Sequence, residues 1–288
     1  MVAKPSNPTL PDISDILISH WHSDHVAGIL HVLMVLKELW VARNPGLPYT
    51  PPRLHKYPIS CLEGGDTLSA PVIALPTMAH LPEDLYTHSN GSVFHDLQDG
   101  QLFRDSDGTT LFRVLHTPGH TLDSVALQFP EEKAFYTADT VLGHGTAVFE
   151  DLTSYLASLN RLLDLGSSVD GEKYDILYPG HGPVVENGRE IISSYIRHRL
   201  SREKDILRLL KSPMPQELLG DSTDDRWTTW NIMRVMYKKY PENLWFPACR
   251  IIELHLQKLR GEGLISYIEG DGPQKKWRAL RRSEIRGR

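Results

Sequence analysis

The spacing of apolar positions predicts a first domain in which short strands alternate with helices. Apolar runs bounded by turn residues indicate buried strands, and longer stretches with apolar positions three and four residues apart indicate helices. The predicted strands are residues 13–19, 111–115, 124–129, 133–137 and 174–178. The predicted helices are residues 26–41, 151–165 and 189–211. This alternation indicates an α/β layered domain.

A different pattern begins near residue 211. Residues 211–225 are rich in proline, serine and aspartate and are interpreted as a linker. Two predicted helices follow, at 228–239 and 247–260, and then two strands around the turn Gly270-Asp271-Gly272. A winged-helix module has this order, with two helices followed by a two-stranded wing. We therefore predict two domains, residues 1–212 and residues 222–288.

Charge is distributed unevenly between these two parts. The chain carries 31 basic and 36 acidic residues, a formal net charge of −5. From residue 223 onward there are 14 basic and 8 acidic residues, a net charge of +6, so the preceding part has 17 basic and 28 acidic residues and a net charge of −11. An acidic front is a poor match for a polyanion such as RNA. We interpret the basic segment 275–288 as a solvated face, with nucleic-acid contact as the alternative.

Composition favours a soluble cytoplasmic protein. A hydrophobic content of 40% and a charged content of 23% are ordinary for a globular chain. We find no N-terminal apolar stretch of the signal-peptide type, and we expect no membrane-spanning run and no membrane partner. Cys61 and Cys249 are too few for a disulfide framework, which is consistent with a reducing compartment.

The segment HWHSDH, residues 20–25, carries the first candidate chemistry. His20 and His22 alternate after an apolar strand and aim at one point, and Asp24 and His25 then turn toward a second point. Imidazoles and carboxylates are ligands that a metal such as zinc prefers. Three more candidates follow strands: His120 in HTPGH, Asp139 in YTADT and His181 in YPGHG. Five histidines and two aspartates exceed the needs of one tetrahedral zinc and predict two metals.

With these motifs in place, the chain resembles the metallo-β-lactamase superfamily, whose signature is HxHxDH followed by separate His, Asp and His ligands. It looks most like the lactamase-like hydrolases that carry a C-terminal winged helix. The likeness is densest at SHWHSDHVAGI, HTPGHTLDSVAL, TADTVLGHGTAVFEDL, LYPGHGPVV and PENLWFPA. It implies an αββα sandwich with a small C-terminal winged-helix domain.

The resemblance also implies roles for the seven candidates. It makes His20, His22 and His120 ligands of one Zn²⁺, makes Asp24, His25 and His181 ligands of a second, and lets Asp139 bridge the two ions. It implies that water activated by the two metals attacks a carbonyl carbon or a phosphorus, while Asp24 orients that water and accepts its proton.

Other histidines are given no metal role. His116 lies beside a motif but away from the family's ligand position, so packing near the site is expected. For His144, substrate contact and a role in loop structure both stay open. The remaining histidines have no metal-ligand spacing and are interpreted as ordinary surface or half-buried residues: His31, His55, His80, His88, His95, His198 and His255.

The chain departs from the family pattern before residue 20. Only 19 residues precede His20, and the strands that usually come before HxHxDH are absent, so we expect a shortened first sheet with an exposed edge. The spacing from His25 to His120 is long for the family. We expect the extra residues, about 37–55 and 66–92, to shape the substrate pocket.

Three function classes follow from the resemblance. The first is a thioesterase that releases an acyl chain from an acyl carrier protein or polyketide synthase, as fungal lactamase-like enzymes of secondary metabolism do. The second is an endoribonuclease acting on single-stranded RNA, which the basic tail favours and the acidic front opposes. The third is a scaffold protein without activity. We favour a dinuclear zinc thioesterase, because the acidic front does not oppose such a substrate.

Overall fold

A computed structural model describes residues 11–59, 81–105, 108–165, 174–219 and 223–285 of the 288-residue chain. The strands of this part are β1 Asp15–Ile18, β2 Arg53–Lys56, β3 His95–Asp96, β4 Leu102–Arg104, β5 Leu111–His116, β6 Val125–Phe129, β7 Ala134–Ala138, β8 Ile176–Pro179, β9 Trp227–Thr228, β10 Ile265–Tyr267 and β11 Lys276–Ala279. The α-helices are α1 Ser23–Val26, α2 Ile29–Arg43, α3 Leu152–Leu165, α4 Gly188–Leu210, α5 Gln216–Leu219, α6 Thr229–Met236, α7 Trp245–Gly261 and α8 Arg282–Ile285. Single 3₁₀ turns lie at Glu83–Leu85, Glu242–Leu244 and Gly272–Gln274.

The chain folds into two compact units. The first comprises Met1–Glu150 and Ala157–Arg189, and the second comprises Asp151–Leu156 and Glu190–Arg288. The division differs from the domain boundary that we predicted at residue 212, because Ile206 on α4 belongs to the apolar core of the second unit. As a boundary between sequence domains, residue 212 stays a prediction.

The described residues of the first unit contain two sheets. One has three parallel strands in the order β1-β2-β3, and the other has five strands in the order β4-β5-β6-β7-β8. The second sheet is antiparallel except for its parallel pair β7–β8. Leu17 of the first sheet packs with Val114 and Val125 of the second, so the sheets face each other across an apolar layer. This α/β layering confirms the predicted fold class.

The helix that follows HWHSDH covers the outer face of the first sheet. We predicted this segment as a loop, but its second half already forms the first helical turn, α1, from Ser23. Ile29 and Leu33 on α2 pack with Ile18 and Leu54 of the strands beneath. Val26, the last residue of α1, is buried in the same apolar cluster, so packing on the sheet accompanies this extra turn as well as α2.

The same helix corrects a second expectation. The stretch Ser23–Arg43 is long and apolar enough to cross a membrane, by length and composition alone. The core helix of a soluble protein and a signal sequence near an N-terminus pass the same test. In this structure the inner face of the helix packs on the first sheet and forms part of the apolar core of the first unit.

Most of the predicted excursion at 66–92 lies outside the described residues. Its described end contains the 3₁₀ turn Glu83–Leu85, whose Leu85 is buried in the cluster formed with α2. Lys37 Nζ on α2 also lies 2.5 Å from Asp84 Oδ2 of this turn. The end of the excursion is therefore packed against the first helix, and its role in a substrate pocket stays a prediction.

The second unit has the order of a winged helix. Helices α6 and α7 precede the hairpin β10–β11, and β9 joins that hairpin in a sheet of order β10-β11-β9. Its core contains buried Trp227 and Trp277, with Trp230 and Trp245 packed against them. The indole of Trp277 donates a hydrogen bond to Thr229 Oγ1, so β11 is attached to the start of α6.

Candidate metal centre

The first ligand segment leaves the end of strand β1. After Ile18, the carbonyl of Ser19 accepts a hydrogen bond from the backbone N–H of Val125, which ties the loop to β6. His20 is buried, and the chain turns at His22, whose carbonyl accepts from the N–H of His25 at 3.0 Å. His20 and His22 therefore precede the first turn of α1, and Asp24 and His25 lie on it.

His120 is presented by the turn between β5 and β6. Gly119 has a φ of 133°, which L side chains rarely adopt, and its N–H donates to the carbonyl of Thr121. The imidazole Nδ1–H donates to the carbonyl of Val148 at 2.9 Å. Because that bond holds the proton on Nδ1, the lone pair of His120 Nε2 points toward the other histidines.

Asp139 and His181 follow the parallel strands β7 and β8. Ala138 has a φ of 44°, an unusual conformation for a residue other than glycine, directly before Asp139. The N–H of Gly180 donates to the carbonyl of Ala138, and the carbonyl of His181 accepts from Gly143. Parallel pairing brings the ends of β7 and β8 to the same edge of the sheet.

A first group of four side chains converges within 4.8 Å: His20, His22, His120 and Asp139. His120 Nε2 lies 3.3 Å from His20 Nε2 and 2.9 Å from His22 Nδ1. Asp139 Oδ2 lies 3.7 Å from His120 Nε2 and 4.0 Å from His20 Nε2.

A second group shares Asp139 with the first: Asp24, His25, Asp139 and His181. His181 Nε2 lies 2.9 Å from Asp24 Oδ2 and 3.3 Å from His25 Nε2. Asp139 approaches both histidines, at 3.4 Å from His25 Nε2 and 3.6 Å from His181 Nε2. The carboxylate of Asp139 therefore stands between the two groups.

Burial and mutual repulsion keep the first group of imidazoles neutral. Burial, together with the neighbouring histidines His120, His25 and His22, lowers the pKa of His20 to about 2. Burial also lowers the pKa values of His22 and His120. Neutral imidazoles have the free lone pairs that metal ions bind.

Asp24 carries a charge at neutral pH. Burial alone raises the pKa of its carboxyl, but a backbone hydrogen bond and the neighbouring His25 and His181 outweigh that effect and lower the pKa. The Asp24 side chain is 54% exposed, so it is open to solvent as well as to the second group. This carboxylate can accept a proton from a water molecule beside it.

The residues fit a dinuclear metal centre. Oδ1 of Asp139 is buried and has no hydrogen-bond partner among the described residues. Several imidazole nitrogens also face each other at hydrogen-bond distance, where protons on both would repel. Each group offers imidazole nitrogens and carboxylate oxygens, and the two groups share Asp139. Two zinc ions need such a set of ligands. Metal binding by these seven residues stays a prediction, as does the identity of the metal.

His116 and His144 are members of neither ligand group. His116 stacks on Tyr57 with ring centres 3.7 Å apart, and its Nε2–H donates to the carbonyl of Leu122. His144 is exposed, and its Nδ1 would lie 2.5 Å from a Cβ at Gly182, so this imidazole covers the glycine that follows His181. His144 therefore lies at the rim of the second group.

Sequence reasoning missed a buried carboxylate behind the His120 turn. Asp123 is fully buried, its Oδ1 accepts a hydrogen bond from Thr121 Oγ1, and its Oδ2 lies 2.7 Å from Lys56 Nζ. The motif HTLDS contains Asp123, but its partner Lys56 comes from β2. The pair connects the His120 turn to the first sheet.

Comparison with known proteins agrees with this geometry. Residues 7–181 match the metallo-beta-lactamase superfamily, and residues 228–277 match the beta-lactamase associated winged helix domain. A "Beta-lactamase-like protein 2 homolog" of Drosophila melanogaster is 34% identical over 87% of this chain and 70% of its own length. A "Lactamase-like protein nscB" of Arthroderma otae is 28% identical over 96% of this chain and 67% of its own length. An "Atrochrysone carboxyl ACP thioesterase" of Aspergillus fumigatus is 28% identical over 81% of this chain and 58% of its own length.

The superfamily match covers more than half of the chain and includes every candidate ligand. The winged-helix match falls on the second unit, where the structure has β9, α6, α7 and the wing. Sequence, structure and comparison therefore agree, and this chain belongs to the metallo-beta-lactamase superfamily of hydrolases, with a C-terminal beta-lactamase-associated winged helix.

Proposed function

We propose that this hydrolase is a dinuclear zinc thioesterase that releases a polyketide or other acyl chain from an acyl carrier protein in secondary metabolism. The observation that carries the proposal is the pair of four-residue groups that share Asp139. The choice of a thioester is supported by the likeness to the Aspergillus thioesterase and to the nscB proteins.

The candidate ligands would hold the two metal ions, and Asp24 would also accept a proton. His20, His22, His120 and Asp139 would hold one zinc ion, and Asp24, His25, Asp139 and His181 the other. Such ions lower the pKa of a coordinated water and stabilise negative charge on the substrate oxygen. The Asp24 carboxylate, whose side chain is 54% exposed, would orient the attacking water, accept its proton and pass it to solvent.

Support for a thioester over RNA comes from charge. The part of the chain that precedes residue 223 has a net charge of −11 and contains every candidate ligand. An RNA strand brings its phosphate charges into the site and is repelled there, whereas the acyl thioester that enters the site is neutral at its reacting carbon. The basic segment after residue 223 is what favours the alternative, an endoribonuclease that cleaves single-stranded RNA.

The test compares both substrates on one preparation. Zinc-loaded protein is given an acyl-N-acetylcysteamine thioester, with thiol release followed by a colorimetric reagent, and a labelled single-stranded RNA. We expect thiol release that is lost in His22→Ala and Asp139→Asn. RNA cleavage that those two variants abolish, without thiol release from the wild type, would replace the thioesterase by the nuclease.

Metal analysis of the same preparations tests the centre itself. We expect about two zinc ions per chain in the wild type and fewer in His22→Ala. Wild-type protein that is folded by circular dichroism but retains no zinc would exclude the dinuclear zinc centre.

A further inference from the structure

Three large apolar side chains are exposed within seven residues of the second unit. Tyr240 is 48% exposed, Leu244 45% and Phe246 72%, and they surround the 3₁₀ turn Glu242–Leu244 between α6 and α7. Exposed apolar clusters with a charged border mark interaction sites. We name this region the α6–α7 turn surface, defined by Lys238, Lys239, Tyr240, Leu244, Phe246 and Arg250.

The backbone beneath this surface is held in one conformation. The indole of Trp245 donates to the carbonyl of Tyr240 at 3.1 Å, and the same ring packs edge to face on Trp230. The N–H of Leu244 donates to the carbonyl of Pro241, and the N–H of Tyr240 donates to that of Tyr237. A partner would therefore meet side chains on a preorganised turn, which reduces the entropy lost on binding.

The border of the surface is positively charged. Lys239 and Arg250 are exposed and form no ion pair within the part of the chain that the structure describes. Lys238 Nζ lies 4.0 Å from Glu217 in a fully solvated pair, which is worth little. Glu242 is the carboxylate of the turn itself. An acidic protein would be attracted to this surface and repelled by the acidic part of the chain before residue 223.

We propose that the α6–α7 turn surface docks an acidic face of the carrier protein that presents the acyl thioester, an inference that rests on the proposed thioesterase function. Phe246 is the apolar anchor, and Lys239 and Arg250 pair with carboxylates of the carrier. Aromatic and arginine side chains are enriched at the centres of protein interfaces.

The number of charges argues against RNA at this surface. Nucleic-acid affinity comes mainly from contacts with many phosphates, whereas the surface offers three cations. A small protein interface needs one apolar anchor and a few charge pairs to fix its orientation.

The first experiment compares one acyl group on two carriers. An octanoyl group is offered either on the phosphopantetheine arm of a polyketide-synthase carrier protein or on N-acetylcysteamine. We expect Phe246→Ala, and separately the pair Lys239→Glu with Arg250→Glu, to lower kcat/KM for the carrier-bound substrate about tenfold or more. Hydrolysis of the N-acetylcysteamine thioester stays at the wild-type rate. Equal loss on both substrates, or loss on neither, overturns the proposal.

Matched controls come from exposed positions on α4. Leu200→Ala removes an exposed apolar side chain, and the pair Arg197→Glu with Lys204→Glu reverses two exposed charges that form no ion pair among the described residues. We expect both controls to hydrolyse the carrier-bound substrate like the wild type. A loss in the charge control equal to that of Lys239→Glu with Arg250→Glu would mean that net charge, not this surface, determines the rate.

A binding measurement separates failure of docking from failure of the proposed function. The same carrier protein, with its arm-bearing serine replaced by alanine, is titrated into the enzyme by calorimetry at low and high salt. If the wild type hydrolyses neither thioester, the thioesterase proposal fails, yet weaker binding by Phe246→Ala still supports the surface. Three results would overturn the docking proposal. The variants could bind the carrier as tightly as the wild type, or the wild type could fail to bind it. The variants could also lose affinity only for a single-stranded RNA.

Discussion

Gly180 lies directly against the candidate metal ligands. A Cβ at this position would stand 2.5 Å from Asp139 Oδ1 and 3.0 Å from His25 Cε1. A contact of 2.5 Å is essentially never seen for a Cβ, so a larger residue would displace the carboxylate that both ligand groups share. The glycine before His181 therefore does more than allow a turn, because it leaves the space in which Asp139 stands.

We expect Gly180→Ala to bind less zinc than the wild type, since Asp139 and His25 must move from their positions. The measurement is elemental analysis after loading and dialysis. Gly28→Ala is the matched control, because a Cβ there meets nothing within 4 Å and Gly28 also lies near the ligands, just after α1. Full zinc content in Gly180→Ala would show that the groups can shift without losing the metal.

Asp15 supplies a pH-dependent contribution to stability. Burial raises the pKa of its carboxyl, but hydrogen bonds from Arg53, Ser14 and His55 outweigh burial and lower the pKa to about 2. The folded state therefore binds the proton more weakly than the unfolded state, whose value is 3.8. Stability from this group is complete above pH 3.8 and is lost as the pH falls toward 2.

We expect Asp15→Asn to reduce the free energy of unfolding at pH 7 by about 2 kcal/mol, with a smaller difference from the wild type near pH 2. The measurement is urea unfolding of metal-free protein across this range. Asp96→Asn, an exposed position, serves as control and should match the wild type throughout. A constant difference between Asp15→Asn and the wild type at all pH values would contradict the assignment.

Sequence alone could identify the seven candidate ligands but not the residues that support them. Ligands stand in local motifs with turn residues, such as Pro118-Gly119 before His120, and those motifs are visible in one segment. His55 was interpreted as ordinary, yet it is buried and its Nε2 lies 2.7 Å from Asp15. Pairs such as His55–Asp15 and Lys56–Asp123 join distant segments, so only strand pairing brings them together.

At the scale of elements, α2 has two different faces. Leu33 is fully buried among the strands of the first sheet, whereas Val35, two positions later, is 50% exposed. Other apolar residues on the outer side are exposed as well: Val32, Met34, Leu39 and Val41. The helix is therefore apolar on nearly all sides, but only its inner face contributes packing within the first unit.

We expect Leu33→Ala to lower the free energy of unfolding by about 2–4 kcal/mol, because it leaves a cavity beneath the helix. Val35→Ala should change it by less than about 0.5 kcal/mol, since it removes half-exposed methyl groups and alanine favours a helix. Urea denaturation of both variants is the measurement. Equal losses would mean that the outer face of α2 is covered in solution by a contact that this structure does not contain.

Element prediction succeeded where an element is long or strictly patterned. Helices α3, α4 and α7 and strands β5, β6 and β7 lie within a few residues of their predicted positions. The strands β3, β4 and β9 were missed, because two or three residues are too short to show a period. Their strand geometry comes from neighbouring strands, as when Trp227 pairs with Trp277.

At the scale of the molecule, the two proposals concern different units: metal chemistry the first and carrier recognition the second. All seven candidate ligands lie in the first unit, and the apolar core around Trp227, Ile252 and Trp277 lies in the second. The order of helices and wing was predictable from sequence. The sequence did not predict that most of α4 belongs to the second unit, because this depends on the core in which Ile206 is buried.

We expect zinc to slow hydrogen exchange in the first unit alone. Peptides containing His22, His120, Asp139 and His181 come from four separate segments that zinc would connect, so local opening of each becomes less favourable. Peptides from α7 contain no candidate ligand, so their amide hydrogens should exchange at the same rate with and without zinc. The measurement is mass spectrometry of metal-free and zinc-loaded protein.

The variant His22→Ala refines this test, because it removes a member of the first group only. The second group of Asp24, His25, Asp139 and His181 stays complete. Zinc should then still protect the peptide containing His181 while protecting the peptide containing His120 less than in the wild type. If zinc protected α7 as strongly as the ligand segments, or if bound zinc protected no segment, the metal would be acting elsewhere than at these two groups.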